Sequence, residues 1–133
     1  MLAVGLASLP GSAVAQQKSL KEQLVGTWTL VSCATTVCVN HKGILIFDAN
    51  GQYAEMHFGP GRANAAAPGA GANFGTWSVN EADKTVTHHY VGALNPANEG
   101  TEHRLSVSLV GDELKFVGDF SGARIDVTYR RAK

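Results

Sequence analysis

Five histidines and two cysteines carry most of the chemistry this chain offers. The histidines are His41, His57, His88, His89 and His103. Imidazole titrates near neutral pH, so two histidines facing one cavity can hold a metal, bind an anionic head group, or act as acid and base. No carboxylate or third ligand at helical or strand spacing supports a metal, and none is expected. Cys33 and Cys38 have four residues between them and no second Cys/His pair at zinc-ligand spacing. In an oxidising compartment they close a small disulfide loop; otherwise they are two small buried hydrophobes. Neither thiol has an activating partner in the sequence, no Gly-x-Ser-x-Gly elbow is present, and no glycine-rich phosphate loop precedes a helix. No cofactor is expected.

Strands must position these groups. After a short helical turn within 16–23, the chain reads as eight short runs rich in β-branched and aromatic residues and bounded by turn residues: 25–33, 43–48, 52–58, 73–79, 84–90, 101–110, 113–120 and 124–131. Ile125, Val127 and Tyr129 alternate with Arg124, Asp126, Thr128 and Arg130, and His103, Leu105, Val107 and Leu109 alternate with polar residues. One apolar and one polar face mean a sheet wet on one side, which eight strands can close into a barrel or pack as a sandwich. The second, fourth and sixth connections (48–51, 80–83 and 111–112) are tight turns, whereas the first, third and fifth (34–42, 59–72 and 91–100) are long. In an up-and-down meander that layout is a cup, with a trimmed base and a loop-bearing mouth. The third loop, GPGRANAAAPGAGAN over 59–73, is too small and low in complexity to pack a core of its own and is either a lid or a disordered insertion.

The 133 residues make one domain, with 44% hydrophobic residues and 17% charged. The net charge of zero argues against a nucleic-acid partner, which needs an excess of Lys and Arg, and against a polybasic membrane patch. Residues 1–15, MLAVGLASLPGSAVA, form an apolar run ending in a small-x-small site. They read as a secretory signal, truncated at its start because no Lys or Arg precedes the run, with the domain occupying 16–133. The run is too short for a membrane span and no other segment qualifies. The expected location is the periplasm or the exterior.

The segment Leu24-Val25-Gly26-Thr27-Trp28-Thr29-Leu30-Val31-Ser32 is similar to the opening strand of the lipocalin-like domain family, and Gly26-Thr27-Trp28 matches the lipocalin-type Gly-x-Trp. Gly43-Ile44-Leu45-Ile46-Phe47 with Asn50-Gly51-Gln52-Tyr53 resembles its second hairpin. Gly75-Thr76-Trp77-Ser78-Val79, Thr85-Val86-Thr87-His88-His89, Leu94-Asn95-Pro96, Gly100-Thr101-Glu102, Arg104, Gly111-Asp112-Glu113-Leu114 and Thr128-Tyr129-Arg130-Arg131 follow in the family's order. The Gly/Ala richness after Phe58 and the Cys33/Cys38 pair depart from that pattern. The resemblance implies an all-β fold, an eight-stranded antiparallel up-and-down β-barrel of calycin type around a small-molecule cavity. It also implies that Arg130 or Arg131 covers Trp28 at the base by cation–π attraction.

On this topology all five histidines fall at the mouth. Parity points His88, with Val86 and Tyr90, and His103, with Leu105 and Val107, into the cavity, and His89 outward. His57 alternates with Tyr53 and Glu55, which leaves its direction open. Tyr53, Trp77, Tyr90, Phe47 and Phe116 supply aromatic surface for core and cavity. Alternation sends Arg104 outward, but the family motif at 100–104 keeps it a candidate, turned inward by a bulge. The expected ligand-binding set is Tyr53, His57, Trp77, His88, Tyr90, His103 and Arg104, and the expected ligand is a small apolar or amphipathic molecule. The alternatives are a small calycin-type isomerase or cyclase using mouth histidines, and a module with a filled barrel whose loops bind another protein.

Overall fold

A computed structural model describes residues 17–35, 38–61, 69–120 and 122–133. The expected signal segment at 1–15 and the middle of the third loop, 62–68, lie outside the described residues. A short helix α1 (Leu20–Leu24) leads into β1 (Gly26–Cys33), β2 (Lys42–Phe47), β3 (Gln52–Phe58), β4 (Ala70–Asn80), β5 (Thr85–Ala93), β6 (Glu102–Val110), β7 (Glu113–Phe120) and β8 (Ala123–Arg131). Each strand pairs antiparallel with the next and β8 pairs with β1, so the sheet is a closed up-and-down barrel of calycin-type layout. Closure leaves no free sheet edge.

The polar outer and apolar inner faces follow the alternation in the sequence. Val127 and Tyr129 are buried while Arg124 and Arg130 are exposed, and Val107 is buried between exposed Ser106 and Ser108. Two bulges break this parity. One lies between Leu30 and Ser32 on β1, so that Trp28 and then Cys33 are buried at odds with strict alternation. The other lies where Phe74 and Gly75 face Gly92 and Tyr90 across Val91. A Cβ on Gly75 would collide with the His89 carbonyl oxygen, so only glycine admits that crossing.

Strands four and five are longer than the sequence reading has them. Ala70, Gly71 and Ala72, assigned above to the loop, pair with Phe58, His57 and Met56. Val91, Gly92 and Ala93 extend β5 against Phe74 and Asn73. Backbone pairing asks nothing of the side chain, so small residues join a ladder whose neighbour is already in place. His88 therefore sits in mid-strand rather than at the end of β5, deeper than the mouth position expected for it.

The base is closed by a compact assembly around Trp28, which is fully buried. Its Nε1 donates to the Leu24 carbonyl at 2.9 Å, and the guanidinium of Arg131 lies 4.3 Å from its ring centroid. Arg131 donates to the Val25 and Gln23 carbonyls at 3.3 and 2.7 Å, tying β8 to the end of α1. Gly26, at φ 134°, leaves room beside that guanidinium, where a Cβ would come within 3.2 Å of an Arg131 terminal nitrogen. Glu81 in the β4–β5 turn accepts from the Leu20 and Lys21 amides, both at 3.0 Å, and fastens α1 across the barrel end. The residue on Trp28 is thus Arg131. Arg130, the other arginine offered above for that role with Trp28, points outward beside Glu113 at 3.9 Å with its side chain 61% exposed. Alternation explains the difference: Arg131 shares the inward parity of Tyr129, and Arg130 that of Thr128.

The Cys33–Cys38 disulfide is formed and closes the first mouth loop, with Cα atoms 5.7 Å apart. No helix among the described residues is long and apolar enough to cross a membrane.

Arg131→Ala removes a cation–π contact and two hydrogen bonds and should destabilise the barrel by about 2–3 kcal/mol, against about 0.5 kcal/mol or less for Arg130→Ala. Urea denaturation of both variants measures the difference; equal losses would return the covering role to either arginine.

Candidate functional site

The barrel is hollow above this base. A cavity of about 420 Å³ opens at the loop-bearing end. Its apolar wall includes Leu30, Leu45, Leu105, Phe116, Phe120, Ile125 and Val127, drawn from β1, β2, β6, β7 and β8. The polar groups come mostly from other strands: Glu55 and His57 on β3, Asn73 on β4, His88 and Tyr90 on β5, His103 on β6 and Tyr129 on β8.

His88 lies at the bottom, 5% exposed. Its ring sits between those of Phe47, Tyr53 and Phe116, with centroids 5.6, 4.6 and 6.1 Å away. Its Nε2 is buried and has no hydrogen-bond partner. Burial in this aromatic slot, and then the nearby His103, pulls the His88 pKa down to about 4. His88 is therefore a neutral imidazole at physiological pH.

His103 stands higher on the wall, stacked near Phe120 (4.2 Å between centroids) and Tyr90 (4.6 Å). The fifth loop orients it. The Thr101 hydroxyl donates to the Asn98 carbonyl at 2.6 Å and contacts His103 Nε2 at 2.9 Å. A hydroxyl has one proton to give, so His103 Nε2 carries the hydrogen and donates to Thr101. Burial lowers the His103 pKa.

A third group is built around Glu55. The Tyr53 hydroxyl donates to Asn73 Oδ1 at 2.7 Å, and Asn73 Nδ2 donates to Glu55 Oε1 at 3.4 Å. Glu55 keeps some exposed surface because it faces the cavity, yet the barrel encloses it; that burial raises its pKa, which the Asn73 hydrogen bond partly offsets. Burial also raises the pKa values of Tyr53, Tyr90 and Tyr129, and the Glu55 carboxylate pushes all three further the same way, so the hydroxyls stay protonated. Among the described residues Glu55 is the one formally charged side chain on the cavity wall, and no Lys or Arg lines it.

At the rim His57 meets His41 from the first loop, Nδ1 to Nδ1 at 2.6 Å. One ring donates and the other accepts, and a proton on both would set two cations side by side. Burial and then His41 lower the His57 pKa. Glycines make the space. His57 stands between Gly43 on β2 and Gly71 on β4, and a Cβ on Gly71 would overlap His57 Nε2. A Cβ on Gly59 would likewise overlap His41 Nε2. The low-complexity stretch thus supplies one wall of a histidine well.

The cavity gathers His57, His88, Tyr90 and His103 of the expected set. Tyr53 is buried behind His88 and acts through Asn73. Trp77 is not on the cavity wall. It is 4% exposed, packs on Phe47 at 4.4 Å and donates to the Asp48 carbonyl, beneath the floor. Arg104 stands exposed on the outer face of β6, whose pairing with β5 runs through it without a bulge. His89 faces outward beside Glu102 at 3.6 Å. Sequence reasoning singled out neither Glu55 as a site residue nor Asn73 and Tyr129. Parity carried the signal for two of them: Glu55 alternates with Tyr53 and His57, and Tyr129 with Val127. Asn73 opens the fourth strand of the sequence reading, beside the low-complexity loop, and was not singled out there. No group of three or more metal-ligating side chains occurs among the described residues.

By fold and site the chain is a hollow calycin-type barrel with a mostly apolar pocket that carries a few polar and aromatic groups. No protein-family model matches it and no curated protein is similar to it in sequence.

His88 has a folded pKa near 4 against about 6.5 unfolded, so its titration costs nothing above pH 6.5 and removes stability as pH falls from 6.5 towards 4. The loss is about 3 kcal/mol, because each tenfold weakening of proton binding is worth about 1.4 kcal/mol. Glu55 works oppositely over the ordinary carboxylate range and above, since its raised pKa favours the folded state at lower pH. Comparing the wild type with His88→Phe isolates the histidine: the difference in unfolding free energy between pH 7 and pH 4.5 should shift in favour of the variant by about 2 kcal/mol. A pH-independent difference would show that His88 does not titrate this way.

Proposed function

We propose that this protein is an exported member of the lipocalin-like domain family that binds a small apolar or amphipathic molecule inside its barrel. The observation that carries the reading is the cavity itself. Its volume of about 420 Å³ falls within the range of small-molecule sites, and its wall is apolar with a few polar groups at fixed positions. A barrel whose only task were to present loops gains by filling its interior, because every void forfeits packing. Here ionisable groups, among them Glu55, His57, His88 and His103, face or border the space instead. Such groups cost stability when buried and are retained where they meet a ligand. Tyr90 and His103 stand on the path from the mouth, and His88 lies at the floor. The order of family-like motifs from Gly26-Thr27-Trp28 to Tyr129-Arg130-Arg131 supports the family reading, as do the closed eight-stranded meander and the tryptophan–arginine base. The disulfide and the apolar segment at 1–15 support a periplasmic or secreted location.

Nile red, an apolar neutral fluorophore, should bind the protein saturably and one-to-one. Tyr90→Ala should weaken it about tenfold, a loss of about 1.4 kcal/mol of buried contact. Leu105→Trp, which fills the cavity from β6, should abolish the signal while the far-ultraviolet circular dichroism stays that of a barrel. No saturable binding of this dye or of a panel of lipids and aromatics would remove the proposal.

A further inference from the structure

We infer that the ligand is an amphipathic organic amine, held as its ammonium cation by the Glu55 carboxylate in a cavity whose wall also carries Tyr90 and Tyr129. This rests on the carrier reading above and names the chemistry of the same cavity.

The wall sorts ligands by charge. An anionic head group such as a fatty-acid carboxylate needs a cationic partner once water is stripped away, and no Lys or Arg among the described residues lines the cavity. The histidines do not substitute. His88 is held neutral at the floor, and His103 and His57 are both disfavoured as cations. A neutral ligand would leave Glu55 without a use, although the fold encloses this carboxyl, steadies it through Asn73 and gives it no counter-ion among the described residues. An ammonium group supplies that counter-ion and brings donors that a carboxylate accepts. The electron-rich faces of tyrosines beside it add cation–π attraction, which strengthens when water is excluded. The rest of the cavity, walled by Leu105, Phe116 and Val127, suits an apolar tail.

The titratable groups facing Glu55 are Tyr53 and His57 on its own strand, His88 and Tyr90 on β5, His103 on β6 and Tyr129 on β8. None is cationic at neutral pH, so the empty cavity favours the protonated carboxyl. A bound ammonium favours the ionised form. Binding therefore expels a proton at any pH below the raised Glu55 pKa, and amine affinity rises as pH rises through that value. It falls again only when the amine itself deprotonates, near 10 for a primary alkylamine judged by lysine.

The test is displacement of Nile red by n-octylamine, n-octanol and n-octanoate at about pH 7.5, where a primary amine is an ammonium. The amine should bind at least about tenfold more tightly than the alcohol, and the carboxylate most weakly. Glu55→Gln should bring the amine-to-alcohol ratio close to one. On the wild-type protein, titration calorimetry of octylamine in buffers of different ionisation heat, repeated across and above the ordinary carboxylate range, should show net proton release that grows as pH falls, and octanol should show none. That measurement needs no variant, so it decides the matter if Glu55→Gln does not fold. Equal affinity for amine and alcohol, preference for octanoate, failure of all three to displace the dye, or amine binding without proton release overturns the inference while the carrier reading stands. Failure of Nile red itself to bind overturns both.

Discussion

Everything else in this molecule depends on the last strand returning to the first. Eight antiparallel strands form a cavity only if β8 pairs with β1; left open, the same sheet has two bare edges and no interior. That closure is reinforced by side chains at one end. Arg131 of β8 covers Trp28 of β1 and reaches two carbonyls at the end of α1, while Gly26 leaves the space for it. The contact joins residues about a hundred positions apart and packs the base beneath the cavity.

A sealed base with an open mouth lets the interior remain unfilled. The floor of Trp28, Phe47 and Leu114 packs without exposure, and the space begins above it, at His88. From there upward the side chains become more polar: an orphaned imidazole nitrogen, a carboxyl tethered to an amide, three tyrosines and a histidine pair at the rim. Each of these costs stability where it stands, and together they define what the barrel can hold. The glycines belong to the same design. Gly43 and Gly71 flank His57, and Gly59 borders His41, so the residues that look like filler in the sequence are where imidazole rings lie.

Strand number, the short-turn base and the inward faces of β6 and β8 were legible because alternation and turn residues are local signals. Those signals failed in three places. Ala70–Ala72 looked like loop because nothing in them favours a strand by itself; they pair because β3 is beside them. Val91–Ala93 continued β5 past a bulge that only Gly75 admits, which moved His88 from the rim to the floor. Trp77 looked like a cavity aromatic and proved to lie below the floor, because depth in a tilted barrel depends on register between strands and not on position along one.

The order of residues alone settles the alternation that makes one wet and one dry face, the cysteine pair, the Gly-x-Trp opening and the inward parity of His88, His103 and Tyr129. Those are properties of residue type and spacing along a single strand. It took the closed barrel to bring Arg131 onto the tryptophan, to turn Glu55 onto the cavity wall beside the apolar side chains of other strands, and to join His41 to His57 at the rim. Each of these is a distance between separate strands or loops. Such distances are set by closure, shear and bulges of the whole sheet, which no window of the sequence contains.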